Sequence, residues 1–389
     1  MVTVLRSALQ FVSVAPLVTF ALVDATPVAA QPAIRGASAK LCRVVNETQG
    51  TRFPPDAGAV LAAAIAAANS GDRLAIIGIC VGTYTLNHDV VLAGVRTRAF
   101  PIPTLDGGQA GATLTVAAGV TATLSELTIT GGTGKTAQIP GLPTDGGGIH
   151  NNGTLTLISC VVSGNRATFN GNGGGIYNAG TLVLAGGSTV SGNSAANDGG
   201  GIYNVSIATL TIRESSTLSG NSAPDFGGAI ANFGSLIVDA SNIVGNRAGF
   251  GGGGIRNYGP GTATLRNSST VSDNRVSFEG AGIMNNGTLL VDSSVLSRNI
   301  GSGVGGAIRN SGGTVTVNSS TISGNENGAG AGIFNTGGTV TLSSSLVTGN
   351  IAVTVGGGIY NDVATGTVVL NASTVTGNVP DNCFGVQGC

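Results

Sequence analysis

Residues 173–193 read GGGIYNAGTLVLAGGSTVSGN. Ile176 and Asn178 share parity, as do Leu182 and Leu184, and Ser188 and Val190. Alternation with period two means short strands with one buried face. The Gly and Asn residues between the runs supply positive-φ bends. Three short strands joined by tight bends make one triangular turn of a solenoid. Such a turn cannot bury its face alone, so it must stack on another.

The stretch recurs along the chain. Its leading Gly-Gly-x-Ile-x-Asn returns, strictly or loosely, nine times, with the Asn at Asn151, Asn178, Asn204, Asn232, Asn257, Asn285, Asn310, Asn335 and Asn361. The steps between them run from 25 to 28 residues. An all-β parallel solenoid of about nine regular coils is therefore expected over residues 146–382, preceded by irregular coils.

Three inward columns can be traced through these coils. The aliphatic column reads Val162, Val190, Leu218, Ile243, Val271, Leu296, Ile322, Val347 and Val375. Three residues after each comes a bend asparagine: Asn165, Asn193, Asn221, Asn246, Asn274, Asn299, Asn325, Asn350 and Asn378. In a parallel stack these amides lie within hydrogen-bonding reach and should form a ladder. Two residues before the aliphatic column stand Ser188, Ser216, Ser241, Ser269, Ser294, Ser320, Ser345 and Ser373, and Cys160 holds that place in the first unit. Cys160 therefore reads as a buried substitute in a serine ladder, not as a nucleophile.

Outside the repeats the signals change. Met1–Arg6 carries one cationic side chain, Ser7–Val23 is mostly apolar, and Val28 and Ala30 precede Gln31 with signal-peptidase spacing. Residues 1–30 thus read as a secretory signal peptide, leaving no membrane span in the mature chain and a secreted, extracellular or cell-surface location. Residues 31–55 form an N-terminal extension without clear pattern. Residues 56–145 read as a cap with irregular first coils. There, Asp56 is a plausible N-cap of a helix ending near Gly71, with Val60, Leu61, Ala64, Ile65 and Ala68 on its apolar face. Strands are expected around Leu74–Ile77, Val90–Leu92, Thr113–Val116 and Leu124–Ile129. The stretch 133–145, with Lys135, Pro140 and Pro143, reads as an insertion or a join. Cys42 and Cys80 precede the array, while Cys383 and Cys389 follow it. Bonds 42–80 and 383–389 are expected, each where an array needs a cap; residues 383–389 would be the C-terminal cap. Spacing alone does not fix that connectivity.

Composition narrows the function classes. There are 66 glycines without a three-residue period, which excludes collagen. Hydrophobic residues make up 41%, which argues against disorder. The 17 Lys and Arg are scattered and the net charge is −1, so no nucleic-acid partner is expected.

The stretch Val60–Leu92 resembles the N-terminal cap of pectin-lyase-like right-handed parallel β-helix proteins. The Gly-Gly-Ala-Ile of residues 227–230 and 305–308 resembles the repeat of polymorphic outer membrane proteins. That family's partner motif is Phe-x-x-Asn; here Val, Leu or Ile replaces the Phe. The resemblance spans roughly residues 56–382 and implies a right-handed helix and a secreted or surface-displayed, often adhesive, passenger. The translocator barrel that such passengers carry has no counterpart among these residues.

The fold class also hosts polysaccharide lyases and hydrolases, which an enzyme reading of this chain would have to match. A glycosidase needs two carboxylates about 5–9.5 Å apart. The polygalacturonase-type motifs Asn-Thr-Asp, Asp-Asp, Gly-His-Gly and Arg-x-Lys do not occur. His88 and His150 lie far apart, and His150 falls at a variable position. Asp145, Asp198 and Glu279 each stand four residues before the Ile of their coil, and Asp225 stands five before. Asp198 and Asp225, from adjacent coils, could lie about 5 Å apart and bind Ca²⁺ or exchange protons. A solvated turn is the favoured reading, because Asn172 and Phe250 hold similar places.

The x of Ile-x-Asn is the other variable feature. Tyr177, Tyr203, Arg256, Met284, Arg309, Phe334 and Tyr360 follow one another there, and outward rings at coil spacing could stack on sugars or on a partner protein. The expected role is a non-catalytic, monomeric, adhesin-like or envelope-associated scaffold meeting glycans or cell-surface proteins, with no cofactor and no catalytic residue. A carbohydrate-active enzyme with a site near Asp145–Asp225 is the alternative, and a matrix component without a soluble ligand is a third.

Overall fold

The computed structural model describes residues 41–55, 59–134 and 145–389. The expected signal peptide, Asp56 and most of the 133–145 join lie outside them. The chain is an all-β right-handed parallel β-helix of about eleven turns, against the nine regular coils counted from the repeat. The additional turns are built from the irregular N-terminal sequence. Strands Tyr84–Leu86 and Leu114–Val116 stack in register under Ile149–Asn151 without carrying the motif.

Each coil contributes a strand to each of three faces. The first face is a twelve-stranded sheet made by the Ile-x-Asn strands, ending at Cys383–Phe384. The second carries longer strands such as Thr181–Ala185, and the third carries short strands such as Thr189–Ser191. Registers are strict: Ile176 pairs with Ile202, Leu182 with Leu210, and Val190 with Leu218. Period-two parity sends Ile176, Leu182, Leu184 and Val190 inward, and all four are fully buried. Each such side chain contributes about 1.5–3 kcal/mol of transfer free energy. Intervening Thr residues take the outer faces, where β-branched side chains suit a pleated, solvated surface.

Two glycines show why the motif needs them. Gly173 has φ +66°, and a Cβ on Gly174 would lie 2.3 Å from the Ser194 backbone. The corner is thus tight at the second position, which is Gly in most coils and takes nothing larger than the buried methyl of Ala281 or Ala331.

The N-terminal end is closed by three elements: strand β1 (Cys42–Asn46), helix α1 (Ala59–Ala67) and strand β3 (Asp72–Val81), with the short β2 (Thr51–Arg52) paired to β1. α1 buries Val60, Leu61, Ala64 and Ile65 of the face read from its sequence, but it ends at Ala67, short of Gly71, and Ala68 lies beyond it, partly buried. β1 was not legible. It lies in the stretch that showed no pattern and runs antiparallel to β3, with Cys42, Val44 and Asn46 inward. The Cys42–Cys80 bond, with Cα atoms 4.7 Å apart, joins β1 to β3. A capped edge prevents pairing with another chain. Cys383–Cys389 closes a short loop at the other end.

The polar columns lock the stack. Each bend asparagine donates from Nδ2 to Oδ1 of the next coil's asparagine, at 2.8–3.0 Å from Asn165 through to Asn378. The same Oδ1 accepts the preceding asparagine's backbone N–H, as Asn193 does for Asn165. A second ladder, not foreseen, runs through the Ile-x-Asn asparagines at 2.7–2.9 Å from Asn151 to Asn361. In the serine column, hydroxyls accept N–H groups from the coil before: Cys160 N–H to Ser188 Oγ, then Ser320 N–H to Ser345 Oγ. The buried amides thus satisfy one another coil by coil, as buried polar groups must. Among the described residues no helix is long and apolar enough to cross a membrane.

Candidate functional site

The x positions fall in one register column on the first face, from His150 through Tyr177, Tyr203, Ala231, Arg256, Met284, Arg309, Phe334 and Tyr360 to Phe384. Rings set one coil apart stack on each other. His150 and Tyr177 lie 4.9 Å apart at 13°, Tyr177 and Tyr203 5.5 Å at 6°, and Phe334 and Tyr360 4.3 Å at 4°. The ring faces are therefore occupied by one another. What reaches solvent is ring edges and hydroxyls. Tyr177, Tyr203, Arg309, Phe334 and Tyr360 are half-buried. Stacking of sugars flat on these rings, expected from the sequence, is available only along the edges.

Ala231 interrupts the column, and the gap is bridged by residues the sequence reading passed over. Tyr203 leans on Phe233, which stacks on Tyr258 at 3.9 Å. Both follow the motif asparagine, where other coils carry Asn152, Ala179 or Asn286. Large rings at that corner were the available signal. Arg256, expected to face outward, is only 8% exposed. Its guanidinium lies 4.2 Å from the Tyr258 ring centre and 5.5 Å from that of Phe226, and it donates to Asn286 Oδ1. Ring stacking pulls the cation in because an aromatic face replaces part of its hydration. Arg309 sits over Phe334 at 4.9 Å and pairs with Glu279 at 3.2 Å.

The acidic turn adjoins this column and proves to be a third coil-to-coil chain. Asp145 Oδ1 accepts Asn172 N–H at 2.8 Å. Asn172 Oδ1 accepts Asp198 N–H at 3.2 Å. Asp198 Oδ1 accepts Phe226 N–H at 3.0 Å, and Asp198 Oδ2 accepts the Tyr258 hydroxyl at 2.7 Å. Burial pushes the Asp198 carboxyl above its ordinary range, against the lowering effect of those bonds. Burial, then the Asp198 bond, pushes Tyr258 far above the usual phenol value. Asp225 adds a repulsive charge to Asp198. It stands one place off the column, whose position Phe226 takes. Among the described residues no three His, Cys, Asp or Glu side chains gather as a metal site.

The remaining candidates separate. Cys160 is 1% exposed, and burial raises its thiol to about 11. His88 follows the strand Tyr84–Leu86, two strands from that of His150 in the same sheet. With Tyr84, Ala62, Ile65 and Ala66 it borders a cavity of about 380 Å³. Among the described residues the Tyr84 hydroxyl and His88 Nε2 are buried without a partner, and burial together with the Asp106 charge raises Tyr84 to about 12.

The class these features define is a parallel β-helix with internal Asn and Ser ladders and a self-stacked aromatic column. No protein-family model, curated protein or solved structure matches the chain.

Proposed function

We propose that this protein is a secreted or cell-surface β-helix scaffold, non-catalytic and adhesin-like, that presents its first face to glycans or cell-surface proteins. The supporting observation is the column from His150 to Tyr203, continued by Phe233 and Tyr258. A row of ring edges and hydroxyls, held at coil spacing on a sheet with internal hydrogen-bonded ladders, is a preorganised surface for an extended partner. Two disulfides suit an oxidising compartment. The groups best suited to chemistry serve the fold: both Asp198 oxygens accept hydrogen bonds, and the Cys160 thiol is buried.

The test is binding of the labelled protein to a glycan array and to intact cells, with Tyr177→Ala/Tyr203→Ala as the variant. Retention by the parent and its loss in the variant are expected. No retention by the parent on any surface overturns the proposal.

One observation favours a second reading, a carbohydrate-active enzyme. A carboxyl raised by burial beside a tyrosine hydroxyl is the kind of group that serves as a general acid. Turnover of polyuronates or neutral glycans, lost in Asp198→Ala and Asp225→Ala, would establish it in place of the scaffold.

A further inference from the structure

We infer that Arg247 and Arg275 form a site for the oxyanion groups, sulfate ester or uronate carboxylate, of an anionic polysaccharide. The inference rests on the scaffold reading and supplies its ligand class. Each arginine follows the bend asparagine of its coil. Strands Arg247–Ala248 and Arg275–Val276 pair in parallel, placing Arg247 directly opposite Arg275. Adjacent strands lie about 4.8 Å apart, and like charges opposed across that spacing repel.

Both side chains are exposed, and among the described residues neither pairs with a carboxylate. Among the described residues Arg43, Arg52, Arg98 and Arg166 are likewise exposed without an ion pair, but none of them faces a second arginine across a strand pair, and several other surface arginines are neutralised. Arg73 is held by Glu47, Arg96 by Glu126, and Arg266 by Asp239. The carboxylates nearest to Arg275 in sequence are engaged: Asp273 binds two nitrogens of Arg298, and Glu279 binds Arg309. Two exposed arginines at directly paired positions can close on one oxyanion, relieving their repulsion.

The surroundings give the site a shape. The pair borders a groove of about 260 Å³ whose other walls are Val276, Ser277, Ile300, Gly301 and Ser302. The Ser302 hydroxyl donates to the Ser277 carbonyl and ties the wall of one coil to the next. Three residues beyond each arginine stands a phenylalanine. Phe250 and Phe278 are 51% and 54% exposed and stack at 5.5 Å. The Arg-x-x-Phe spacing occurs again at Arg166–Phe169, where Phe169 is 78% exposed.

A cation pair followed by apolar ring edges, repeated at coil spacing, matches a polymer with anionic substituents and apolar C–H faces. An inorganic anion would use the arginines alone. Single-stranded nucleic acid would need a longer cationic track, and a chain with net charge −1 and scattered cations does not provide one.

The experiment measures binding of the full chain to dextran sulfate, polygalacturonate, neutral dextran, inorganic sulfate and oligo-dT by titration calorimetry at low and physiological salt. At least one polyanionic glycan should bind, more weakly as salt rises, and neutral dextran should not. Arg247→Ala/Arg275→Ala should weaken that binding at least tenfold with an unchanged melting curve, and Arg266→Ala should leave it intact. Phe278→Ala should weaken the polymer and leave inorganic sulfate unaffected. Undiminished binding by the folded double variant overturns the site. Oligo-dT bound as tightly as the glycan, or binding of inorganic sulfate alone, overturns the ligand class. A parent that binds cells or neutral glycans but no polyanion sinks this inference and leaves the scaffold reading standing.

Discussion

Arg298 closes a bidentate ion pair on Asp273, Nε to Oδ1 at 2.8 Å and Nη2 to Oδ2 at 2.9 Å. The two residues stand in adjacent coils at the bend position that is Gly192, Gly220 or Gly245 elsewhere, and their φ angles are 58° and 53°. A left-handed backbone at a residue with a Cβ is strained, more so for Arg than for Asp. The pair is largely exposed, so its own contribution is small. Arg298→Gly is therefore expected to leave the melting temperature equal or higher, because relief of the bend offsets the lost pair. Asp273→Arg, which sets two cations together at two strained bends, should lower it. The Arg298 bonds hold the Asp273 carboxyl below its ordinary value. A depressed carboxyl adds stability above its unfolded pKa and loses it as pH falls through the folded one. The deficit of Asp273→Asn should thus be present at pH 7 and disappear below about pH 4. A deficit that persists in acid would refute the electrostatic account.

Asn246 sits mid-ladder and is fully buried, donating to Asn274 and accepting both the N–H and the Nδ2 of Asn221. Asn246→Ala leaves the Asn221 N–H without its acceptor and takes one bond each from Asn221 Nδ2, which keeps the Val190 carbonyl, from the Leu218 carbonyl and from Asn274 Oδ1, which keeps the backbone N–H of residue 246. At about 1–3 kcal/mol for the buried unsatisfied group, with the lost bonds added, a loss of several kcal/mol is expected. Asn378 is 8% exposed near the end of the ladder, where the less buried Asn382 accepts its N–H and Nδ2, so water can replace its partners. Asn378→Ala should cost clearly less in urea unfolding followed at several wavelengths, since a stacked array can unfold in stages. Equal costs at the two positions would deny the ladder its role.

Much of this was legible in the sequence because the fold repeats its own evidence. One substitution pattern read nine times identifies inward columns that a single strand could not, and the bend-asparagine and serine ladders followed from parity. The second asparagine ladder escaped because its residues served only as repeat markers. β1 escaped because it has no partner in the repeat: its antiparallel pairing with β3 is a tertiary fact with only five residues of alternation behind it. The functional surface was half legible. The register placed Tyr177, Tyr203 and Phe334 in one line, but rings one coil apart stack on each other instead of standing free, and period-two parity does not show that. Arg256 went inward because Tyr258 and Phe226, outside the traced columns, each offered it a ring.

Cys160 tests the serine-column reading directly. With its thiol at about 11 and 1% exposed, it should resist iodoacetamide at pH 8 in the folded protein and react on unfolding in urea under non-reducing conditions. Cys160→Ser places a hydroxyl where the neighbouring coil already carries Ser188, and the melting temperature should change little. Rapid labelling of the native protein would return the thiol to the list of functional groups.

The Asp198–Tyr258 bond carries a prediction of opposite sign to that for Asp273. Burial raises the Asp198 carboxyl above its unfolded value. A raised carboxyl contributes stability below its unfolded pKa and loses it as pH climbs through the folded pKa, so the ionised aspartate weakens the fold at neutral pH. Asn172 fills the same column one coil earlier, accepting Asp198 N–H through its Oδ1, so an amide fits the site. In Asp198→Asn, Oδ1 can still accept Phe226 N–H and Nδ2 can donate to the Tyr258 oxygen. Asp198→Asn should therefore melt higher than the parent at pH 7, with the difference closing as pH falls through the raised folded pKa and gone below the unfolded value of about 4. Tyr258→Phe removes the donor that stabilises the carboxylate and should lower stability at pH 7 more than at pH 4. If Asp198→Asn is instead less stable at neutral pH, the carboxylate is being held by something beyond these bonds, such as a cation shared with Asp225, and calcium titration of the parent would then show a rise in melting temperature that the variant lacks.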